Sequence, residues 1–132
     1  MRNTAAGSGY NGGVTPERPD YKQHPLWTAA MALAHEAYAV AEELRERDPE
    51  GARLLRKAAV SVPAHLAGAL SADASFARDT DASEARAALA EIAARAEVLP
   101  TRGGLSRTLL QHARDLERSV RQTLGDPRSF VC

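Results

Sequence analysis

Cysteine is almost absent from this sequence, since Cys132 is the only one among 132 residues. A single cysteine cannot form an internal disulfide, and no group of Cys and His residues has the spacing of a zinc site. We therefore expect no bound metal and no cofactor. Long apolar runs are missing too: none approaches the roughly 18–20 residues that cross a bilayer, and the N-terminal stretch lacks the apolar segment of a secretory signal. The expected protein is cytoplasmic and has no membrane contact.

The chain also has no net charge. The 17 Lys and Arg residues balance the 17 Asp and Glu residues, so any claim of binding to nucleic acid must rest on a local cluster of charge. Aromatic residues make up only 5% of the chain, and alanine supplies much of its 44% hydrophobic content. Burial of apolar surface stabilises a fold by about 25 cal/mol per Å², so a core of small side chains contributes little stability. We therefore expect the chain to bury further apolar surface against other subunits.

What the sequence does contain is apolar residues at steps of three and four, the period of amphipathic helices, and no persistent strand-like alternation. Four helices are predicted. They run from about Leu26 to Arg47, from about Glu50 to Ala72, from a start capped by Asp81 or Thr80 to Leu99, and from about Leu105 to Leu124, before a cap at Gly125.

Short connections join these helices, which favours an all-α fold: an antiparallel up-and-down four-helix bundle over residues 21–125. Residues 1–20 are expected to be a flexible N-terminal tail, and residues 126–132 a short C-terminal tail. Pro63 falls inside the second helix, where proline costs about 3 kcal/mol because it has no N–H. The apolar register keeps its phase on both sides of Pro63, so the prediction is one continuous, kinked helix, with Ser61 bonding back to Lys57.

Two segments carry a family resemblance. "PLWTAAMALAHEAYAVAEEL" resembles the first helix of the bacterial four-helix-bundle family that includes ribosomal RNA intervening-sequence proteins, and "LLRKAAVSVPAHLAGAL" is similar to the second-helix signature of that family, with its internal proline. The matching positions are Leu26, Trp27, Ala30, Leu33 and Tyr38 in the first segment, and Arg56, Ala58, Ala59, Val60, Ser61, Val62, Pro63 and Ala67 in the second.

The resemblance implies a homo-oligomer, commonly a five-membered ring of bundles. Relatives of the family include the accessory variability determinant of diversity-generating retroelements. This resemblance implies that the chain has RNA or DNA and a reverse transcriptase as partners.

Catalytic patterns are missing. The segment "HEAYA" begins like a zinc-protease motif, but Ala39 stands where the second histidine is needed. No Glu-x-x-His sequence supports a di-iron bundle, and no nucleophile lies in a recognisable elbow. We therefore predict no catalytic residue and no enzymatic activity.

Arginine is the most informative residue type. On a helical wheel, the arginines of the fourth helix fall within about 60° of one another, roughly opposite its apolar stripe. A second basic group lies on the second helix, whereas the first helix and the third segment are acidic. The candidate nucleic-acid-binding residues are Arg53, Arg56, Lys57, Arg107, Arg114, Arg118 and Arg121.

Two hypotheses about function follow from these basic residues. In the first, a non-catalytic oligomeric binding protein uses the basic helices to contact nucleic-acid phosphates without reading sequence. In the second, the chain is an interaction or scaffold module, and its arginines pair with carboxylates within the chain or on a neighbouring subunit; Glu117, for example, has the spacing to pair with Arg121 and Arg114.

Overall fold

A computed structural model describes residues 20–99 and 102–125 of the chain. Over these residues the protein is helical, with no strand. A short 3-10 turn precedes α1, and another lies just before α4. The helices are α1 (Pro25–Leu44), α2 (Pro49–Ser71), α3 (Ser75–Val98) and α4 (Leu105–Leu124). The predicted tails, apart from Asp20, lie outside the described residues.

Local chemistry sets the helix boundaries. The His24 ring nitrogen Nδ1 accepts a hydrogen bond from the Leu26 amide at the start of α1. Asp48 caps α2 by accepting from the amide of Gly51, and prolines occupy the first turns of both helices, where their missing N–H is not needed. Gly125 ends α4 with φ of 84°, as predicted, because glycine adopts positive φ without a steric penalty.

The helix α2 continues through Pro63, which confirms one of the sequence predictions. Pro63 is buried within the helix, and the predicted back-bond is present: the Ser61 hydroxyl donates to the Lys57 carbonyl at 3.1 Å. The apolar register on both sides of the proline therefore indicated the continuity correctly.

Two predicted boundaries are wrong. The first helix ends at Leu44, three residues early, and residues 45–47 form a turn. The third helix begins at Ser75, so neither Asp81 nor Thr80 caps it. The segment from 75 to 81 contains no glycine or proline to interrupt a helix, and the Thr80 hydroxyl donates back to the Phe76 carbonyl at 2.9 Å. Both expected caps are interior helical positions.

The core is thin, as the composition indicated. Alanines make up about half of the buried hydrophobic residues, which allows the helices to approach closely. Helix α1 packs against α2 and α4, and α3 packs against the same two helices. The largest fully buried side chains are Leu55, Leu66, Leu89, Ile92, Leu109, Val40, Val62 and Val120. None of the helices in the described ranges has the length and apolarity needed to span a bilayer.

In so thin a core, each large side chain carries much of the stability. We expect Ile92→Ala to lower the free energy of unfolding by about 2–5 kcal/mol, because its side chain is fully buried and a cavity remains. The matched control is Val98→Ala on the same helix, whose side chain is 76% exposed and should change stability by less than about 0.5 kcal/mol. Urea unfolding measures both, and equal effects would contradict this assignment of the core.

Candidate functional site

Three of the predicted arginines come together beside α3. Arg114, Arg118 and Arg121 line a shallow cleft of about 360 Å³ between α3 and α4. Alanines at positions 90 and 93 form the α3 wall, and their small side chains leave the cleft open. Between 45% and 55% of each arginine side chain is exposed, so the guanidinium groups are accessible from solvent.

Each of these arginines already has a carboxylate partner. Arg114 pairs with Glu97 of α3 at 3.7 Å. Arg118 pairs with Asp115 at 3.2 Å. Arg121 pairs with Glu117 at 3.3 Å, the i,i+4 contact expected from the sequence. The other contact considered for Glu117, to Arg114, is replaced by the pair between Arg114 and Glu97. The cleft is therefore basic, but its charge is partly neutralised.

A largely buried ion pair joins α3 to α4. The Arg86 Nε donates to Glu117 at 2.8 Å, and the exposed fractions of the two side chains are 15% and 25%. Glu117 thus holds two arginines, Arg86 from α3 and Arg121 from its own helix. Arg86 was not among the predicted residues, because sequence spacing does not show which α3 residue faces α4.

The basic residues of α2 lie elsewhere. Arg53 makes two hydrogen bonds to Glu50, at 3.0 and 2.7 Å. The hydrogen bond from Arg53 lowers the pKa of the Glu50 carboxyl, and the same bond raises the pKa of Arg53. Lys57 lines a groove between α2 and α3 that also contains Glu84 and Glu91.

The seven predicted cations therefore do not form one patch. Lys57 is on the α2 side of α3, whereas the arginine cleft is on the α4 side. Arg56 is half-buried on α2. Arg107 lies beside Glu97 and Leu99, near the end of α3.

His65 has a specific partner that the sequence did not indicate. Its Nδ1 lies 2.9 Å from an Asp81 carboxylate oxygen, which links α2 to α3. Gly68 makes this contact possible, because a Cβ added there would lie 2.5 Å from the Asp81 carboxylate. Ser61 lies one turn before His65 on α2, and its hydroxyl donates to the Lys57 carbonyl and not to the His65 ring. The contact between His65 and Asp81 is therefore a contact between two helices.

A large groove lies between α1 and α4. This groove has a volume of about 550 Å³ and mostly apolar walls, including Ala29, Ala32, Leu33 and Leu116. His112 and Glu36 line one part of it, and the His112 Nδ1 lies 2.7 and 2.8 Å from the two Glu36 carboxylate oxygens. No candidate site was predicted here, because alanines on an exposed helix face look like ordinary surface positions.

No group of three or more His, Cys, Asp or Glu residues within the described ranges is arranged to hold a metal ion. Comparison of the chain with protein-family models, with curated proteins and with solved structures finds no match.

The Arg86–Glu117 pair gives a prediction for the α3–α4 contact. We expect Glu117→Gln to lower the free energy of unfolding by about 1–3 kcal/mol, because it removes the negative charge of the carboxylate that pairs with the mostly buried Arg86. Asp115→Asn is the matched control, since its pair with Arg118 is exposed and should be worth less than about 1 kcal/mol. Chemical unfolding of the two variants measures the difference, which vanishes if Glu117 acts only as a surface residue.

A second prediction concerns the approach of α2 to α3. In a helix interior, replacing glycine by alanine normally gains about 1 kcal/mol. We expect Gly68→Ala to lose this gain, because its Cβ displaces Asp81 from His65. In an Asp81→Ala background the Cβ has room, and Gly68→Ala should then stabilise by about 1 kcal/mol. A double-mutant cycle of unfolding free energies tests the coupling, and strict additivity would refute it.

Proposed function

We propose that this chain is a non-catalytic helical bundle that self-associates and serves as a protein-interaction module. One observation carries the proposal: four of the seven predicted cations are already paired with carboxylates of the same chain. A surface that binds phosphates needs cations free to replace counterions. Arginines that already pair with carboxylates favour a role in protein contacts.

The distribution of charge supports the same proposal. Within its bounds α4 has four arginines against Asp115 and Glu117, whereas α1 has three glutamates and no Lys or Arg. α1 contacts α2 and α4, so an acidic helix lies beside two basic ones. α3 also contacts both basic helices and has more acidic than basic residues. Neighbouring helices are therefore complementary in charge, which accounts for basic segments in a neutral chain.

The arrangement that we propose for the bundle is antiparallel, with a kink in α2 at Pro63. Supporting contacts come from both ends of the α2–α3 pair. Asp81, in the first third of α3, meets His65, in the last third of α2. At the other end, Arg95 lies close enough to Glu50 to contribute to lowering the pKa of its carboxyl. The kink is expected because Pro63 cannot donate to the Ala59 carbonyl.

A second candidate function is binding of an RNA or DNA backbone, as an accessory factor beside a reverse transcriptase. It is favoured by the arginine cleft, where three guanidinium groups remain about half exposed along one face. Exposed ion pairs are worth only about 0–1 kcal/mol, so phosphates could exchange with the carboxylates. Such contacts would position a backbone without reading bases.

The double variant Arg114→Glu with Arg118→Glu separates the two candidates. If the arginines hold subunits together, it lowers the molar mass measured by size-exclusion chromatography with light scattering, with or without RNA. If they bind nucleic acid, it leaves the assembly intact and abolishes binding of a 20-nucleotide single-stranded RNA. Binding of that RNA by the unaltered protein would then weaken steeply as salt is raised.

Arg45→Glu with Arg78→Glu is the matched control. It makes the same change in net charge at two exposed arginines outside the cleft. We expect this control to retain both assembly and any RNA binding. A wild-type protein that is monomeric and binds no RNA would refute both candidate functions.

A further inference from the structure

The groove between α1 and α4 leaves apolar surface open to solvent. Its walls include Ala29 and Ala32 of α1, whose exposed side chains are small, and Leu33 and Leu116 at its floor, around a volume of about 550 Å³. Clefts of roughly 300–1,000 Å³ are large enough to enclose a whole small molecule, so this groove has room for several side chains. Apolar surface of this kind is typical of a binding groove.

The charged and imidazole groups at the groove already have partners. The Glu36 carboxylate lies against His112, and Asp115 accepts a hydrogen bond from Arg118. The His24 ring accepts a hydrogen bond from a backbone amide of α1. These contacts use the charge of the groove within the chain. What stays uncovered is its apolar walls, so the occupant that fits is an apolar side chain and not an ion.

The chain leaves α4 beside one end of this groove. Thr123 lines the groove, and two residues later Gly125 ends the helix with φ of 84°. Pro127 follows at a position typical of a residue that stops a helix, because it cannot continue one. The residues after Gly125 therefore start next to the groove and are not an extension of α4.

The next seven residues have the composition and the length to fill the groove. They read "DPRSFVC", residues 126–132, and lie outside the described residues. Phe130 and Val131 are adjacent and apolar. Five extended residues span about 17 Å, the reach of Phe130 from Gly125. Leu116 lies about 13 Å back along α4 from Gly125, at 1.5 Å per residue, so Phe130 can reach the leucines of the groove.

We propose that the segment after α4 turns back at Gly125 and docks in the groove between α1 and α4, with Phe130 packed against the alanine and leucine walls. Covalent attachment gives a short segment an effective concentration in the millimolar range, so one aromatic anchor with Val131 beside it is enough for docking. The segment then covers the groove and joins α1 to α4. This contact forms within one chain, so it is independent of the proposed self-association.

The N-terminal segment is the less suitable occupant. The 3-10 turn Tyr21–Gln23, which leads into α1, contacts α2 as well as α1. The Tyr21 ring packs edge-on against Trp27, with 5.7 Å between the ring centroids. The chain therefore enters α1 from the side of α2, whereas the groove is on the side of α4.

The only cysteine of the chain, Cys132, supplies the test. Ala29→Cys and Ala32→Cys each add a second thiol on the groove wall. Ala90→Cys is the matched control, since Ala90 is also exposed but lines the arginine cleft on the other side of α4. Oxidised glutathione is the oxidant, and the two thiols lose two hydrogens as the disulfide forms. We expect an internal disulfide to form at least about tenfold faster from one or both groove positions than from position 90.

The aromatic anchor is tested in the same assay. Phe130→Asp places a carboxylate against apolar walls, which is unfavourable, so the rate from Ala32→Cys should fall to the rate from Ala90→Cys. Ser129→Asp is the matched control, because it adds the same charge to the same segment and keeps Phe130. It should retain most of the faster rate. Circular dichroism verifies that each variant has the helical content of the wild type.

Three results would overturn the proposal. The first is equal rates from all three cysteine positions, and the second is equal rates for Phe130→Asp and Ser129→Asp. The third is a disulfide that joins two chains, with twice the 14.1 kDa mass of one, because the groove would then be filled by a second copy. Light scattering of the wild type tests self-association separately, so a failure of docking and a failure of the proposed function are distinguishable.

Discussion

The small size of the buried side chains is the constraint on which the rest of this structure depends. Alanines fill about half of the core positions, so the four helices approach closely and few large residues fix their positions. Contacts that would be minor in a larger core therefore carry specificity. The approach of Asp81 to Gly68 and the Arg86–Glu117 pair are two such contacts, and each joins α3 to one of its neighbours.

The same constraint directs attention to the surface. When alanines occupy both the buried face and the outward face of a helix, the two faces have similar apolar character. Helix α3 is the clearest case. Its core-facing side is recognisable only from Leu89 and Ile92. Apolar content that is not used inside the protomer remains available for contacts outside it. Together with the complementary charges of neighbouring helices, this favours a protein whose partners include proteins.

Most of the fold could be predicted from the sequence, because it depends on local periodicity. The register of apolar residues across Pro63 was enough to predict one continuous α2, and Gly125 was enough to predict the end of α4. The start of α3 was missed because Thr80 and Asp81 are good caps in isolation, whereas tertiary contacts use Asp81 for His65. A cap is a local preference, and a partly buried partner sixteen residues away can override it.

The candidate site was predictable only in part. Helical spacing placed Arg114, Arg118 and Arg121 on one face of α4, and they do line one cleft. Spacing could not show that α2 and α4 present their cations on different sides of α3, since that depends on the rotation of each packed helix. It also could not reveal Arg86, which becomes important only through Glu117, 31 residues away.

The groove between α1 and α4 bears on the connectivity of the fold. His24 and Thr123 both line it, although they lie at the beginning of the first helix and the end of the last. The two ends of the helical unit are therefore neighbours, a property that permits the order of elements along a chain to be changed. A short linker joining them would make the four helices a closed cycle. New ends could then be opened at the connection between α3 and α4, and each helix would keep its present neighbours.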